Sequence, residues 1–240
     1  MTPLLEATNV YRHFGGIMAL NGVDIRLDPG EIVGLIGPNG AGKTTLFNVL
    51  AAAIPPSSGS IRFQDTDITG WPSYRVSRLG LARTFQITRP FLKMTCLENV
   101  MVGLINHQPK EALGRLQVLA REALSFVGLS EQCDAPASGL NLIQKKKLEI
   151  ARTVALRPKL LLLDEVLGGL NSQEVVQAVS MIRELRTNLG ITILWIEHIM
   201  GAIMSAADRI VVLHQGEKLM EGSPETVVND PRVIEAYLGN

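Results

Sequence analysis

Apolar positions along the chain change period twice. In the first third they fall in short runs. Leu4 to Val10 and Val23 to Leu27 read as strands, and Asp28-Pro29-Gly30-Glu31 reads as a turn. Ile32-Val33-Gly34-Leu35-Ile36 then reads as a buried strand, and Thr45 to Leu50 as a helix. Pro55-Pro56-Ser57-Ser58-Gly59 breaks the chain before a short strand, Ser60 to Gln64. Ser73 to Leu79 reads as a helical turn and Ala82 to Gln86 as extended.

From Pro90 to about Ala155 strand signals vanish and helical spacing takes over. Leu97, Val100, Met101 and Leu104 form one such row; Leu113, Leu116, Leu119, Ala123, Leu124 and Val127 form another. Strands return at Leu160 to Leu163, at Ile191 to Ile196 and at Ile210 to Leu213, with a helix over Ser172 to Asn188 between the first two. His214-Gln215-Gly216-Glu217 is hairpin-like, and Pro224 to Leu238 is helical with a break at Asp230-Pro231. The alternation of strand and helix predicts α/β with a mainly parallel core sheet. The expected layout is one domain, with a core over 1–87 and 156–240 and an inserted helical subdomain over 88–155.

Composition narrows the class. The chain has 240 residues, enough to bury a sizeable core, and 46% of them are hydrophobic. Its 23 basic and 23 acidic residues cancel, which argues against non-specific nucleic-acid binding. Cys96 and Cys133 lack metal-ligand spacing and read as free thiols of a reducing compartment. The opening residues show no signal-peptide pattern, and no apolar run approaches the ~20 residues that span a bilayer. A soluble, cytoplasmic chain is expected, able to dock on a membrane protein.

Chemistry enters at Gly37-Pro38-Asn39-Gly40-Ala41-Gly42-Lys43-Thr44-Thr45, which fits the phosphate-binding pattern G-x-x-x-x-G-K-[ST] between a strand and a helix. Its glycines let backbone N–H groups turn around phosphate oxygens, and the helix N-terminus adds partial positive charge. Lys43 reaches the β- and γ-phosphates, and the Thr44 hydroxyl is a ligand for Mg²⁺. A second feature is Leu160-Leu161-Leu162-Leu163-Asp164-Glu165: an apolar strand ending in two carboxylates, at the end where open parallel sheets bind ligands. Asp164 is placed to hold Mg²⁺ through water, and Glu165 to act as general base on an attacking water.

From about Leu5 to Gly239 the chain resembles the ATP-binding subunit of an ABC transporter, on several motifs in fixed order. That resemblance implies a P-loop NTPase of the ABC ATPase type, with an N-terminal antiparallel β subdomain, acting as a Mg²⁺-dependent ATPase. Arg83-Thr84-Phe85-Gln86 is similar to the Q-loop, which implies that Gln86 contacts Mg²⁺ and the nucleophilic water. Phe14 precedes Lys43 at the distance expected of the aromatic that stacks on adenine, with Tyr11 as the competing candidate. Gly169-Leu170-Asn171 resembles the D-loop. Trp195-Ile196-Glu197-His198 resembles the switch-histidine segment, with His198 facing the γ-phosphate.

Two motifs depart from the family. Lys145 to Arg152 matches the basic helical segment after the Leu-Ser-Gly-Gly-Gln signature, and counting back puts Leu140-Asn141-Leu142-Ile143-Gln144 at the signature; Ser138-Gly139 is an alternative match that needs a register shift of three. Serine has become asparagine, and both glycines have become bulky apolar residues. In the family this segment closes on the ATP held by the partner's P-loop, so a weakened site is expected there. Val166 follows Glu165 where the family usually has proline.

Softer text resembles the ATPases of branched-chain amino acid importers: Gly15-Gly16, Leu148 to Arg152, Ile196-Glu197-His198 and the tail Pro231 to Gly239. The lipopolysaccharide-export ATPase shares much of it but normally keeps an intact signature; urea or amide importers of the same branch are alternatives, and a non-transport ABC ATPase is the alternative from another class. The resemblance implies a second ABC ATPase subunit in a heterodimer, two membrane permeases and an extracytoplasmic solute-binding protein. It also implies a peripheral position on the inner face of the cell membrane. Phe91, Leu92, Met94 and Leu97 are candidates for permease docking.

Overall fold

The computed structural model describes residues 2–84 and 90–238. In chain order the regular elements begin with β1 (Leu5–Phe14), β2 (Ile17–Leu27), β3 (Ile32–Ile36), α1 (Lys43–Leu50), β4 (Ser58–Phe63), β5 (Thr66–Asp67), α2 (Ser73–Arg78) and β6 (Leu81–Arg83). Next come α3 (Cys96–His107), α4 (Leu113–Phe126) and α5 (Leu142–Val154). The last part holds β7 (Leu160–Asp164), α6 (Ser172–Leu189), β8 (Thr192–Ile196), α7 (Met200–Ala206), β9 (Arg209–His214), β10 (Glu217–Gly222), α8 (Pro224–Val228) and α9 (Pro231–Leu238). No described helix is long and apolar enough to cross a membrane.

The chain forms two compact units, 1–81 with 159–240, and 82–158. The strands form an antiparallel sheet of order β2-β1-β4-β5 and a second sheet of order β10-β9-β3-β8-β7-β6. In the second sheet β9, β3, β8 and β7 run parallel, and β10 returns antiparallel at the edge. Alternate strand residues Leu35, Leu162, Leu194 and Val211 share one core with Leu5, Val10 and Phe63 of the antiparallel sheet and Phe47 and Leu50 of α1. The residues between them, Leu161, Leu163, Ile193, Trp195 and Val212, are buried too. These strands are therefore covered on both faces, which is why they read as continuous apolar runs. Gly34 permits part of that cover: a Cβ there would stand 2.7 Å from the Ile203 side chain of α7.

Several boundaries depart from the sequence pattern. β1 and β2 extend beyond Val10 and before Val23 into a hairpin closed by the pair Phe14–Ile17. Its tip is solvent-exposed, so no apolar period marks it. α7 and β10 carried no clear periodic signal, being short and only partly buried.

The second unit packs α3 against α4 and α5. Val100, Leu104, Leu116, Ala120, Leu124, Leu148 and Ala151 are buried there. Fully buried Asn99 fastens the segment ahead of α3. Its Oδ1 accepts the Phe91 N–H at 2.8 Å, and its Nδ2 donates to the carbonyls of Phe91 and Thr95 at 3.0 and 2.9 Å. Phe91 and Leu92 stay exposed on that fastened segment, and the Arg152 guanidinium lies 5.2 Å from the Phe91 ring centroid. Met94 and Leu97 are partly buried. Cys96 and Cys133 are free thiols, both buried, and burial raises the pKa of each.

Candidate functional site

Strand register levels three chain ends at one edge of the parallel sheet. Leu35 of β3 and Asp164 of β7 both pair with Ile196 of β8. The residues that follow these strands therefore emerge side by side: the loop Gly37–Gly42 after β3, Glu165 after β7, and Glu197 and His198 after β8. This is the carboxyl edge at which parallel sheets bind ligands.

The glycine loop is held from outside. Gly37 has φ 150, and a Cβ there would fall 2.1 Å from the Leu213 carbonyl oxygen of β9. Gly42 has φ 102, and its Cβ would fall 2.7 Å from the Ala19 carbonyl oxygen of β2. Neither position accepts a side chain. Gly42 is the N-cap of α1 and offers no side-chain cap, and no acid occupies the first turn. Helices α3, α5 and α6, by contrast, close their N-termini with capping boxes. The start of α1 keeps backbone donors and partial positive charge for an anion.

Lys43 is buried and folds back along the loop. Its Nζ donates to the Gly37 carbonyl at 2.6 Å and to the Pro38 carbonyl at 3.0 Å. Burial lowers its pKa, while the charges of Glu165 and Asp164 pull it back up. One cation and two carboxylates thus act on one another at the sheet edge. Thr44 is exposed at the start of α1, and Asn39 and Gly40 at the loop tip are exposed as well. Asp164 is buried, 4% exposed.

Glu165 stands at φ 48, and its N–H donates to the Ile196 carbonyl at 2.9 Å. Positive φ for a non-glycine residue stores strain and is frequent at functional sites. His198 Nε2 lies 2.6 Å from Glu165 Oε1. The sequence pattern placed these two residues at separate strand ends; the fold joins them.

Glu197 is a residue to which the sequence reading assigned no role. It is 3% exposed, and its carboxylate accepts the Leu167 N–H at 2.7 Å and the His198 N–H at 3.0 Å. Burial pushes its pKa up, and the two backbone donors act against that shift. It ties the loop after Glu165 to the His198 segment, which holds the Glu165–His198 pair together although Val166 supplies no proline stiffness there. The signal available in sequence was a charged residue directly after a fully apolar strand.

Phe14 ends β1 with its ring 46% exposed, and the Arg12 guanidinium lies 4.7 Å from its centroid. The competing Tyr11 is partly buried, with its hydroxyl 3.0 Å from the Cβ position of Gly22. Phe14 therefore has the freer ring face. Gln86 lies outside the described residues.

The signature-equivalent segment belongs to the unit 82–158. Asn141 is the N-cap of α5: its side chain accepts the Gln144 N–H at 2.9 Å, and Gln144 Oε1 accepts the Asn141 N–H at 3.0 Å. Asparagine thus keeps the capping role open to serine, worth about 1 kcal/mol. Leu140 is buried, Leu142 is 49% exposed at the first helical position, and Ile143 is partly exposed.

Comparison with known proteins agrees with this arrangement. The family model described as ABC transporter matches residues 20–168, and the one described as branched-chain amino acid ATP-binding cassette transporter matches residues 217–240. The chain is 40% identical to a high-affinity branched-chain amino acid transport ATP-binding protein of Pseudomonas aeruginosa, covering 99% of this chain and 98% of that one. It is 41% identical, with the same shares covered, to the protein of that description from Escherichia coli. A lipopolysaccharide export system ATP-binding protein of Acidithiobacillus ferridurans is 33% identical over 100% of this chain and 98% of its own length. Among solved structures, an ATP-binding cassette of an ABC transporter in its ADP conformation superposes with TM-score 0.91 at 32% identity, each chain fully covered. Fold, carboxyl-edge site and sequence thus agree that the chain belongs to the ATP-binding cassette family of ABC transporters, alongside the branched-chain amino acid transport ATP-binding proteins.

Proposed function

We propose that this chain is the ATP-hydrolysing subunit of an importer for branched-chain amino acids, and that Glu165 is its general base. The observation that carries the reading is the Glu165–His198 contact of 2.6 Å beside a phosphate loop whose lysine senses Glu165 and Asp164. The loop 37–45 and the start of α1 hold the phosphates, with Lys43 on the β- and γ-phosphates and Phe14 stacked on adenine. A water at the γ-phosphate gives its proton to Glu165 while attacking phosphorus, and the γ-phosphoryl leaves ADP. His198 holds the Glu165 carboxylate through Nε2 and faces the γ-phosphate.

The Thr44 hydroxyl, the Asp164 carboxylate and Gln86 are the residues that would hold Mg²⁺. The Thr44 hydroxyl and the Asp164 carboxylate are hard oxygen donors that suit that cation, which would supply charge neutralisation at the phosphate oxygens when bound.

In this reading two such cassettes enclose two ATP molecules. The helical unit of each carries the signature across to the other's nucleotide, and hydrolysis releases the pair. The exposed Phe91 and Leu92 meet a membrane permease, which places the chain at the inner membrane face. The segment Leu140–Gln144 suits a heterodimer. This chain's loop would face an intact signature on a second ATPase subunit, and the partner's loop would face Leu142 and Ile143, whose side chains obstruct backbone approach. The two amino-acid transport relatives, at 40–41% identity, favour this substrate class over lipopolysaccharide export at 33%.

Two measurements test the proposal. The chain reconstituted with its partner ATPase and permeases in liposomes is expected to take up leucine, isoleucine or valine with ATP, and the chain alone to hydrolyse several-fold more slowly than the pair. Equal rates for the two preparations would reject the heterodimer. Exchanging Asn141-Leu142-Ile143 for Ser-Gly-Gly is expected to raise hydrolysis in the assembled complex. An unchanged rate would mean that the bulky signature is no obstacle.

A further inference from the structure

We infer that the carboxy-terminal helix is a bracket for the phosphate loop, with Tyr237 as a positioning residue that keeps Lys43 aimed at the nucleotide. The Tyr237 hydroxyl oxygen accepts the Gly37 N–H at 2.8 Å, 200 positions apart in sequence. The carbonyl of that same Gly37 receives Lys43 Nζ at 2.6 Å. Gly37 is thus gripped on both sides of its α-carbon: its N–H by the tail, its C=O by the lysine.

The tail does not act alone on the loop. The turn between β9 and β10 donates the Gly216 N–H to the Ala41 carbonyl at 3.0 Å, and Asn21 of β2 donates its N–H to the Gly216 carbonyl at 2.8 Å. Leu213 of β9 closes the space behind Gly37. The outer side of the loop therefore rests on elements from the last thirty residues of the chain, while its inner side remains for phosphate. α9 is itself seated by Val233, which is 5% exposed, and by α8. Asp230 ahead of it accepts the Arg232 N–H at 2.8 Å and pairs with the Arg232 guanidinium. Burial raises the Tyr237 pKa, so the hydroxyl is neutral at physiological pH.

Without the hydroxyl, the buried Gly37 N–H loses its acceptor and the loop gains alternative conformations. Only part of the population then presents Lys43 correctly, and apparent affinity falls by that fraction. A neutral hydrogen bond of ordinary strength corresponds to roughly three- to tenfold in such an equilibrium. The effect belongs to nucleotide binding, because the Tyr237 hydroxyl bonds the backbone of the glycine loop and acts on Lys43 through Gly37.

This inference rests on the ATPase reading. Tyr237→Phe keeps the ring and its packing and removes only the acceptor. The expected result is an ATP Kd and KM raised roughly three- to tenfold, with kcat within about twofold of wild type. Ile234→Ala, at an exposed position of the same helix, is expected to leave both unchanged. Unaltered Kd and KM in Tyr237→Phe would overturn the inference, as would a fall in kcat alone or an equal rise in Kd for Ile234→Ala. Wild-type binding separates the two levels: a wild-type chain that binds no ATP overturns the ATPase reading and this inference together, whereas normal wild-type binding with an unaffected Tyr237→Phe overturns only the inference.

Discussion

Glu165→Gln is expected to abolish steady-state hydrolysis in the assembled transporter while leaving ATP bound. The amide has the size and shape of the carboxylate and can still meet His198 Nε2, which lies 2.6 Å from Glu165 Oε1. It cannot accept a proton from water. Losing a positioned general base costs about 10²–10⁴ in rate. Binding is preserved because Lys43 and the loop are untouched, so ATP accumulates and the closed pair of cassettes persists. Phosphate release measures the first effect and ATP-dependent association in size-exclusion chromatography the second. Hydrolysis within twofold of wild type would remove Glu165 from the general-base role.

Lys43→Ala comes next in expected size and fails at an earlier step. The lysine donates to the Gly37 and Pro38 carbonyls and balances Asp164 and Glu165. Removing it takes away the positive charge that acts on Asp164 and Glu165 while a polyanion tries to enter. Hydrogen bonds to charged groups contribute about 1.5–3 kcal/mol, so ATP affinity is expected to fall by roughly ten- to hundredfold or more. Titration with a fluorescent ATP analogue reads this directly. The two variants should separate cleanly: Glu165→Gln binds and does not turn over, whereas Lys43→Ala binds weakly. Wild-type affinity in Lys43→Ala would mean that backbone donors and the start of α1 carry the phosphates by themselves.

Much of the site was legible because its motifs are local. The strand, glycine turn and helix from Ile32 to Leu50 lie in one continuous stretch, as do the four leucines and two acids from Leu160 to Glu165. Short-range sterics and burial explain those residue choices, so a linear reading reaches them. The β1–β2 hairpin tip, α7 and β10 were harder because their exposure gives no regular apolar period. Glu197 and Tyr237 escaped assignment for a different reason. Their partners, Leu167 and Gly37, are 30 and 200 positions away, and no local pattern encodes such a pairing.

The amino-acid order by itself determined the class of fold, and it carries the glycine-loop motif, the paired carboxylates and the segment 140–144 proposed as an altered signature, because each depends on neighbours along the chain. Only the tertiary structure decided which of these groups meet. Parallel register, with Leu35 and Asp164 both opposite Ile196, levels three strand ends and makes a site from separate segments. It also showed that Asn141 caps α5 as a serine could. The tail, in sequence only a family resemblance, meets the glycine loop through one hydroxyl that accepts the Gly37 N–H. Packing selects such contacts across the whole chain, and they exist only once the sheet has set its strands side by side.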